Sequence, residues 1–263
     1  MLKKLLKYDL NNVYKVLIVF YILSLFFAIL TRIFLNIEHS FVINVIGKIC
    51  SGVTISMIAN ILINNLMRLW VRFKNNLYAD ESYLTHTLPI EKKTLYLSKI
   101  LVALISLFIS ILVIGLTLFI AYYSKENIQL VKKILLPIVE TYNSTIIKVL
   151  LAFLFIFFLE FTNALQVGYT GIILGHKMNS NKTAFSILYG FISYMMLQIF
   201  GLLSIFVVSL FNKDLMNLFI TNEIINIEMI KVIIYLSIII YSLTLLINYF
   251  INIKLFKDGV NVD

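Results

Sequence analysis

The sequence is short of charge and of cysteine. Charged residues make up 13% of its 263 residues, whereas an average soluble domain carries about 25%. The single cysteine, Cys50, excludes a disulfide within the chain and a cysteine metal site. Because Cys50 lies inside an apolar run, we interpret it as a small buried apolar residue.

The sequence also lacks the familiar catalytic and nucleotide-binding motifs. It contains no GxxxxGK[ST], GxSxG or HExxH pattern and no Cys/His cluster. Its histidines, His39, His86 and His176, are too far apart to share metal-ligand spacing. Asp80 and Glu81 are adjacent, and on a helix they would point about 100° apart, which is poor geometry for acid/base catalysis. We therefore predict no catalytic, cofactor or metal site, and a chain that is not an enzyme.

Apolar residues dominate the composition. They make up 61% of the chain, and the mean hydropathy is +0.97. A soluble core cannot hide this much apolar surface, so lipid must cover part of it. Runs long enough to span a bilayer predict an all-α, multi-pass membrane protein of one domain, residues 1–263, with six transmembrane helices. The runs are Val16–Leu35, Ile49–Met67, Ile100–Ser124, Val149–Gly175, Thr183–Asn212 and Val232–Ile253.

The net charge of +9 comes from basic residues that sit mainly at the ends of these runs. That placement is typical of topology signals and contacts with lipid headgroups, so we do not predict nucleic-acid binding. A larger share of the 22 Lys and Arg residues falls on the N-terminal side of the membrane, which predicts that both termini are cytoplasmic. Residues 1–14 predict a separate amphipathic interface helix, and the alternative is a frayed, positively charged start.

The loop between the second and third spans, residues 68–99, has internal organisation. Arg68, Trp70 and Arg72 are typical anchors where a helix leaves the membrane. Asp80 can cap a short helix, with Glu81 favourable at its positive end, and Pro89 prevents smooth continuation. Thr87 can cap the helix that follows. A solvated loop has little reason to carry large apolar side chains, yet we expect this one to expose Leu77, Tyr78, Tyr83, Leu84 and Leu88.

Two explanations for these apolar side chains remain open. The short helix either docks into a groove on a partner protein or packs against the inner surface of this protein itself.

The sequence of the loop resembles that of a segment common in permease subunits of type-two ABC exporters from Gram-positive bacteria. The segment RFKNNLYADESYLTHTLPIEKKTLYLSKIL, residues 72–101, contains the Arg-Phe, Asn-Leu, acidic-Glu, Tyr-Leu-Thr, Thr-Leu-Pro and Ser-Lys elements of that family. Ser82 stands where the family commonly has Gly, and Ile100 replaces a Leu. The N-terminal LLKYDL, residues 5–10, also fits, so the likeness is best over the first hundred or so residues.

The resemblance implies a role for each part. The helix around residues 77–87 would be a coupling helix that docks on a separate, dimeric ABC ATPase, with Asp80 and Glu81 among its contact residues. Two permease halves, identical or homologous, would enclose the transport path in the bacterial cell membrane. The segment 213–231 would hold small helices at the outer side. The cargo common in this family suggests that the chain transports peptides, antimicrobials or other amphipathic compounds, with antimicrobial peptide resistance as one role.

Polar residues inside the spans are candidates for the transport path. Glu160 is the one acidic residue deep in a span, where a charge costs about 3 kcal/mol on insertion scales. Asn163 and Gln166 follow it, and Asn60, Asn64 and Asn65 approach the inner end of the second span. These residues either line the substrate path or subunit interface or lock helices together by hydrogen bonds.

Two other functions fit the same residues. A non-catalytic scaffold or sensor would bind its cytoplasmic partner through the 68–99 loop without stimulating ATP hydrolysis. An ATP-independent channel or secondary transporter would use Glu160 for ion coupling and would transport without a motor protein.

Overall fold

The computed structural model describes residues 2–37, 41–141, 143–212, 215–216 and 227–257. These residues form helices and connecting turns, with no strand among them. The helices are α1 (Leu2–Leu35), α2 (Phe41–Leu77), α3 (Ser82–Thr87), α4 (Lys92–Tyr122), α5 (Lys125–Thr141), α6 (Ile146–Gly175), α7 (Lys182–Ser209) and α8 (Ile227–Lys257).

Six of these helices are long and apolar enough to cross a membrane, which confirms the predicted number and order of spans. They are α1, α2, α4, α6, α7 and α8. Helices form here because lipid offers no hydrogen bonds, so each backbone N–H and C=O must be satisfied within its own segment. The shortest of the six, α7, has 28 residues and is about 42 Å long, which exceeds the roughly 30 Å of hydrocarbon.

The N-terminal segment departs from expectation. Residues 2–14 are continuous with the first span in α1, so they do not form a separate helix. The cytoplasmic placement of the two termini and the single-domain description both stay predictions. Most of the segment 213–231 lies outside the described residues.

Contacts divide the chain into two compact units, with the boundary between Ile128 and Gln129 inside α5. In the first unit, α1 packs against both α2 and α4, and α2 packs against α4 and α3. In the second, α6 packs against both α7 and α8.

Small hydroxyl side chains join the spans of the first unit. Tyr21 and Ser110 share a hydrogen bond of 2.7 Å between α1 and α4, and Thr31 and Thr54 share one of 3.0 Å between α1 and α2. Between α2 and α4, Asn65 donates to Ser110 Oγ at 2.6 Å. Hydrogen bonds of this kind contribute about 0.6 kcal/mol each inside a bilayer, so the three spans are held in one register.

Close backbone contact joins α6 and α7 in the second unit. Gly171 and Gly175 on α6 face Ser186 and Gly190 on α7, so closely that a Cβ on Gly175 would overlap the Ser186 backbone. In sequence alone the Gly171-xxx-Gly175 spacing is a weak motif, because such pairs recur by chance. In the folded chain it is a helix-packing contact.

Candidate functional site: a buried charge network beneath α3

Four charged side chains and one amide meet where α1 begins, α2 ends and α4 begins. Successive spans run in opposite directions, so these three termini lie at the same end of the first unit. The residues are Asp9, Arg72, Asn76, Glu81 and Lys99, which we call the charge network. Asp9, Arg72 and Lys99 are 2%, 5% and 3% exposed. A charge this deeply buried is costly unless it is paired and hydrogen-bonded.

Hydrogen bonds close the charge network into a ring. Asp9 accepts from Arg72 Nε at 2.8 Å and from Lys99 Nζ at 2.6 Å, one bond to each carboxylate oxygen. Glu81 accepts from Arg72 Nη1 at 2.6 Å and from Asn76 Nδ2 at 3.1 Å. Lys99 Nζ donates to Asn76 Oδ1 and completes the ring. The two cations and two anions cancel, so the network buries no net charge.

The charge network fastens α3 to the spans. Glu81 is the residue directly before α3, and its backbone carbonyl accepts from Thr85 N at 3.0 Å in the first turn of that helix. Its side chain reaches back to Arg72 and Asn76 on α2. The positions of α3, α2, α1 and α4 are therefore coupled through one connected set of charge-assisted hydrogen bonds.

Three aromatic side chains pack together around the end of α2, just before α3. Phe73, Tyr78 and Tyr96 are fully buried, with ring centroids 6.3 Å apart for Phe73–Tyr78 and 6.2 Å for Phe73–Tyr96. Burial raises the pKa of Tyr78, so its hydroxyl stays neutral. His86 Nε2 lies 3.0 Å from the carbonyl oxygen of Leu77 and ties the end of α3 to the end of α2.

The loop residues predicted to be exposed divide into two groups. Tyr83, Leu84 and Leu88 are 77%, 69% and 43% exposed, as predicted. Leu77 and Tyr78 are 0% and 1% exposed, so the prediction for these two was wrong. They are buried because α2 continues to Leu77 and turns its last side chains inward, and Tyr78 packs against Phe73.

The details of helix capping also differ from the prediction. The short helix begins at Ser82, its N-cap is Glu81 rather than Asp80, and the side chain of Glu81 makes no capping bond because it binds Arg72. Asp80 is exposed. Thr87 is the last residue of α3 rather than the cap of α4, whose N-cap is Glu91.

Sequence reasoning missed most of the charge network. Arg72 was interpreted as an anchor at the membrane boundary, yet it is buried and ion-paired. Asp9 and Lys99 lie in the two segments that carry the family resemblance, but neither was assigned a role. One available signal was that Asp9 is the lone acidic residue in α1, among several lysines. Its partners are 63 and 90 residues away, so no local pattern could identify them.

The predicted path residues of α2 lie apart from this site. Asn64 Nδ2 donates to Asn60 O, and Asn60 Nδ2 donates to Ser56 O, so both amides bond within their own helix. Both side chains are partly exposed. Their neighbour Asn65 is the buried asparagine that binds α4.

The α6 residues that were predicted to line a transport path differ in their hydrogen bonding and burial. Asn163 donates to Tyr241 O at 2.9 Å and accepts from Thr244 Oγ1 at 2.9 Å, so it locks the two helices together. Both side-chain polar atoms of Gln166 are buried without a hydrogen-bond partner in the described part of the chain. Glu160 is half-buried. A role of these residues in a transport path stays a prediction.

Comparison with protein-family models, curated proteins and solved structures finds no match to this chain.

The pH dependence of the α3 attachment provides a test of the Glu81 contacts. The hydrogen bond from Arg72 holds the pKa of Glu81 below its ordinary value, with a smaller contribution from Asn76. A lowered folded-state pKa stabilises the folded state above the ordinary carboxyl value, about 4.3, and this contribution is lost as pH falls through the lowered pKa. After correction for intrinsic rates, amide exchange in α3 should therefore stay constant from about pH 8 to pH 5 and rise on further acidification.

The matched variant for this measurement is Glu81→Gln. It should exchange faster in α3 at neutral pH and show a weaker response to acid, because the titrating group is absent. An acid response equal to that of the unchanged protein would mean that Glu81 does not hold α3.

Proposed function

We propose that this chain is the membrane-spanning permease subunit of an ABC exporter and that α3 docks on a separate ATPase. The observation that carries the proposal is the pairing of an exposed apolar surface with a rigid attachment. Tyr83 and Leu84 project from α3, while Glu81, directly before it, is ion-paired to Arg72 and bonded to Asn76. A partner that pushes on α3 would act on three spans at once.

This arrangement suits a coupling element better than a passive loop. An exposed helix bound only by flexible chain would absorb a partner's movement, whereas ion pairs reinforced by hydrogen bonds, such as those of Arg72 with Asp9 and Glu81, resist displacement. Packed cores have discrete arrangements rather than deforming smoothly, so a small shift of α3 would be passed to α1, α2 and α4. The resemblance of residues 72–101 to the coupling segment of exporter permeases supports the same role. Cargo of amphipathic character, the bacterial cell membrane and a second permease half belong to this proposal.

The decisive variant is Tyr83→Asp with Leu84→Asp. Purified from its native membrane in mild detergent, the unchanged chain should bring down a P-loop ATPase, identified by mass spectrometry, with measurable ATP hydrolysis. The double variant should lose both the ATPase and the hydrolysis, because two charges would be buried in an apolar contact.

Two controls keep this experiment specific. The conservative pair Tyr83→Phe with Leu84→Met should retain the ATPase. The thermal unfolding of the double aspartate variant should be nearly unchanged, because surface substitutions usually alter stability by no more than about 0.5 kcal/mol. ATPase association that survives the double change would refute the coupling role of α3. A partner without ATP hydrolysis would favour the scaffold, and transport by this chain alone in vesicles would favour the secondary transporter.

A further inference from the structure

The segment between the third and fourth spans contains a 17-residue helix, α5, which no sequence argument above identified. It starts three residues after the end of α4 that is remote from α3, and α4 is long and apolar enough to span a membrane, so the start of α5 and α3 would lie on opposite faces of it. Of the residues of α5, Leu135 alone is buried. Its sequence nonetheless alternates basic and apolar residues with helical spacing, and this requires an explanation.

The surface of α5 divides into three sectors. Leu135 is buried, and Ile128, Ile138 and Val139 are partly covered, so this sector faces protein. A mainly polar sector carries one exposed apolar residue, Leu136, among exposed residues that share charge or amide character: Lys125, Glu126, Gln129, Lys132, Lys133 and Glu140.

The third sector of α5 is uncovered and largely apolar, with one amide, Asn127, at its N-terminal end, where it donates to the carbonyl of Tyr122. Leu130 and Ile134, one helical turn apart, are 56% and 70% exposed. Ile134 lies about 100° around the helix from Lys133, so the apolar and polar sectors adjoin. A helix with a protein-facing, a polar and an apolar side suits the boundary between water and hydrocarbon.

The end of the first unit from which α5 starts has the chemistry of such a boundary. Tyr123 follows the last residue of α4, and the Arg32 guanidinium lies 5.9 Å from its ring centroid. Arg32 also donates to the carbonyl of Ile120 at 3.3 Å, and Tyr122 shares a hydrogen bond of 2.7 Å with Ser51. Aromatic and arginine side chains concentrate at the headgroup level of membranes.

Short connections to α4 and α6 keep α5 at the level of the lipid headgroups. It begins at Lys125, shortly after α4 ends at Tyr122, and it ends at Thr141, shortly before α6 begins at Ile146. Both neighbours are spans. With so little chain at either end, α5 cannot move far from the bilayer surface.

We propose that α5 is a membrane-surface helix whose Leu130–Ile134 side inserts into the phospholipid leaflet opposite α3. Two of its lysines, Lys132 and Lys133, then face the phosphate groups and water. The occupant of the uncovered apolar sector is lipid because the helix is confined to the headgroup level at both ends. This inference does not depend on an ATPase partner.

Spin-label accessibility tests the proposal. The single native cysteine allows a Cys50→Ala background, into which Ile134→Cys or Lys133→Cys is introduced one at a time. The full chain is labelled and reconstituted in vesicles of phosphatidylcholine and phosphatidylglycerol. The label at 134 should collide more with oxygen than with a water-soluble nickel chelate, as should a reference label at Leu112 in the middle of α4. The label at 133 should show the opposite preference.

Each other result overturns the proposal. A water-like label at 134 would mean that α5 stands in solvent. A label at 134 that neither reagent reaches, with spin–spin broadening, would mean that a second copy of this chain covers the surface. Leu130→Cys provides an independent position on the same sector, so a poorly folding Ile134 variant does not leave the question open.

Discussion

Replacing Asp9 by asparagine is expected to destabilise the first unit by about 3–5 kcal/mol. The change removes the anion that Arg72 and Lys99 share and leaves two buried cations facing one carboxylate, that of Glu81. Breaking a buried ion pair from one side is costly because the remaining charge has been taken out of water without compensation. Thermal unfolding of the full chain in detergent micelles measures the loss.

A double variant separates the loss of a charge balance from the loss of a side chain. Asp9→Asn combined with Lys99→Met removes one anion and one cation, and Arg72 with Glu81 remains paired. The double variant should therefore be more stable than the sum of the two single effects predicts, with an interaction energy of about 0.5–3 kcal/mol. Asp80→Asn is the matched control, because this acid is exposed and its loss should change stability by no more than about 0.5 kcal/mol.

The same variants test whether the charge network couples α1 to α3. Asp9→Asn should increase amide exchange in α3, although Asp9 lies on another helix, because the ring of hydrogen bonds joins them. If exchange in α3 stayed at its original rate while α1 was destabilised, the charge network would be a local support for α1. The proposed transmission through Arg72 would then be wrong.

Enlarging Gly175 is expected to have the second largest effect. A methyl group there would overlap the backbone of Ser186, and backbone cannot rotate away as a flexible side chain can. Gly175→Ala should therefore separate α6 from α7 and cost about 1–3 kcal/mol, the usual range for overpacking. Gly175→Val should cost more. Thermal unfolding in the same micelles is the measurement.

Gly201→Ala, in the neighbouring helix α7, is expected to change the free energy of unfolding in the opposite direction. Gly201 lies inside α7, and a methyl group there would meet nothing within 4 Å. Because alanine is the better helix former, this change should be neutral or stabilising by up to about 1 kcal/mol. Equal destabilisation by both changes would mean that glycine acts through the helix backbone and that the α6–α7 contact is not close.

The number and order of the spans followed from sequence, since hydrocarbon thickness and the need to satisfy backbone groups act on each segment separately. A short helix before Pro89 with Tyr83 and Leu84 exposed was predictable for a similar reason, because a large apolar residue in a charged loop is conspicuous. The burial of Leu77 and Tyr78 was not predictable. Nothing in their immediate sequence distinguishes them from Leu84.

Sequence by itself determined that this chain has six helices long and apolar enough to span a membrane and that one charged loop separates the second from the third. Only the tertiary structure decided which charges in and near that loop are paired. Asp9 finds Lys99 across 90 residues because α1 and α4 pack in one particular register, and side-chain pairing of that range is a property of helix packing. Likewise, only packing distinguishes Gly175, which meets a backbone, from Gly201, which meets open space.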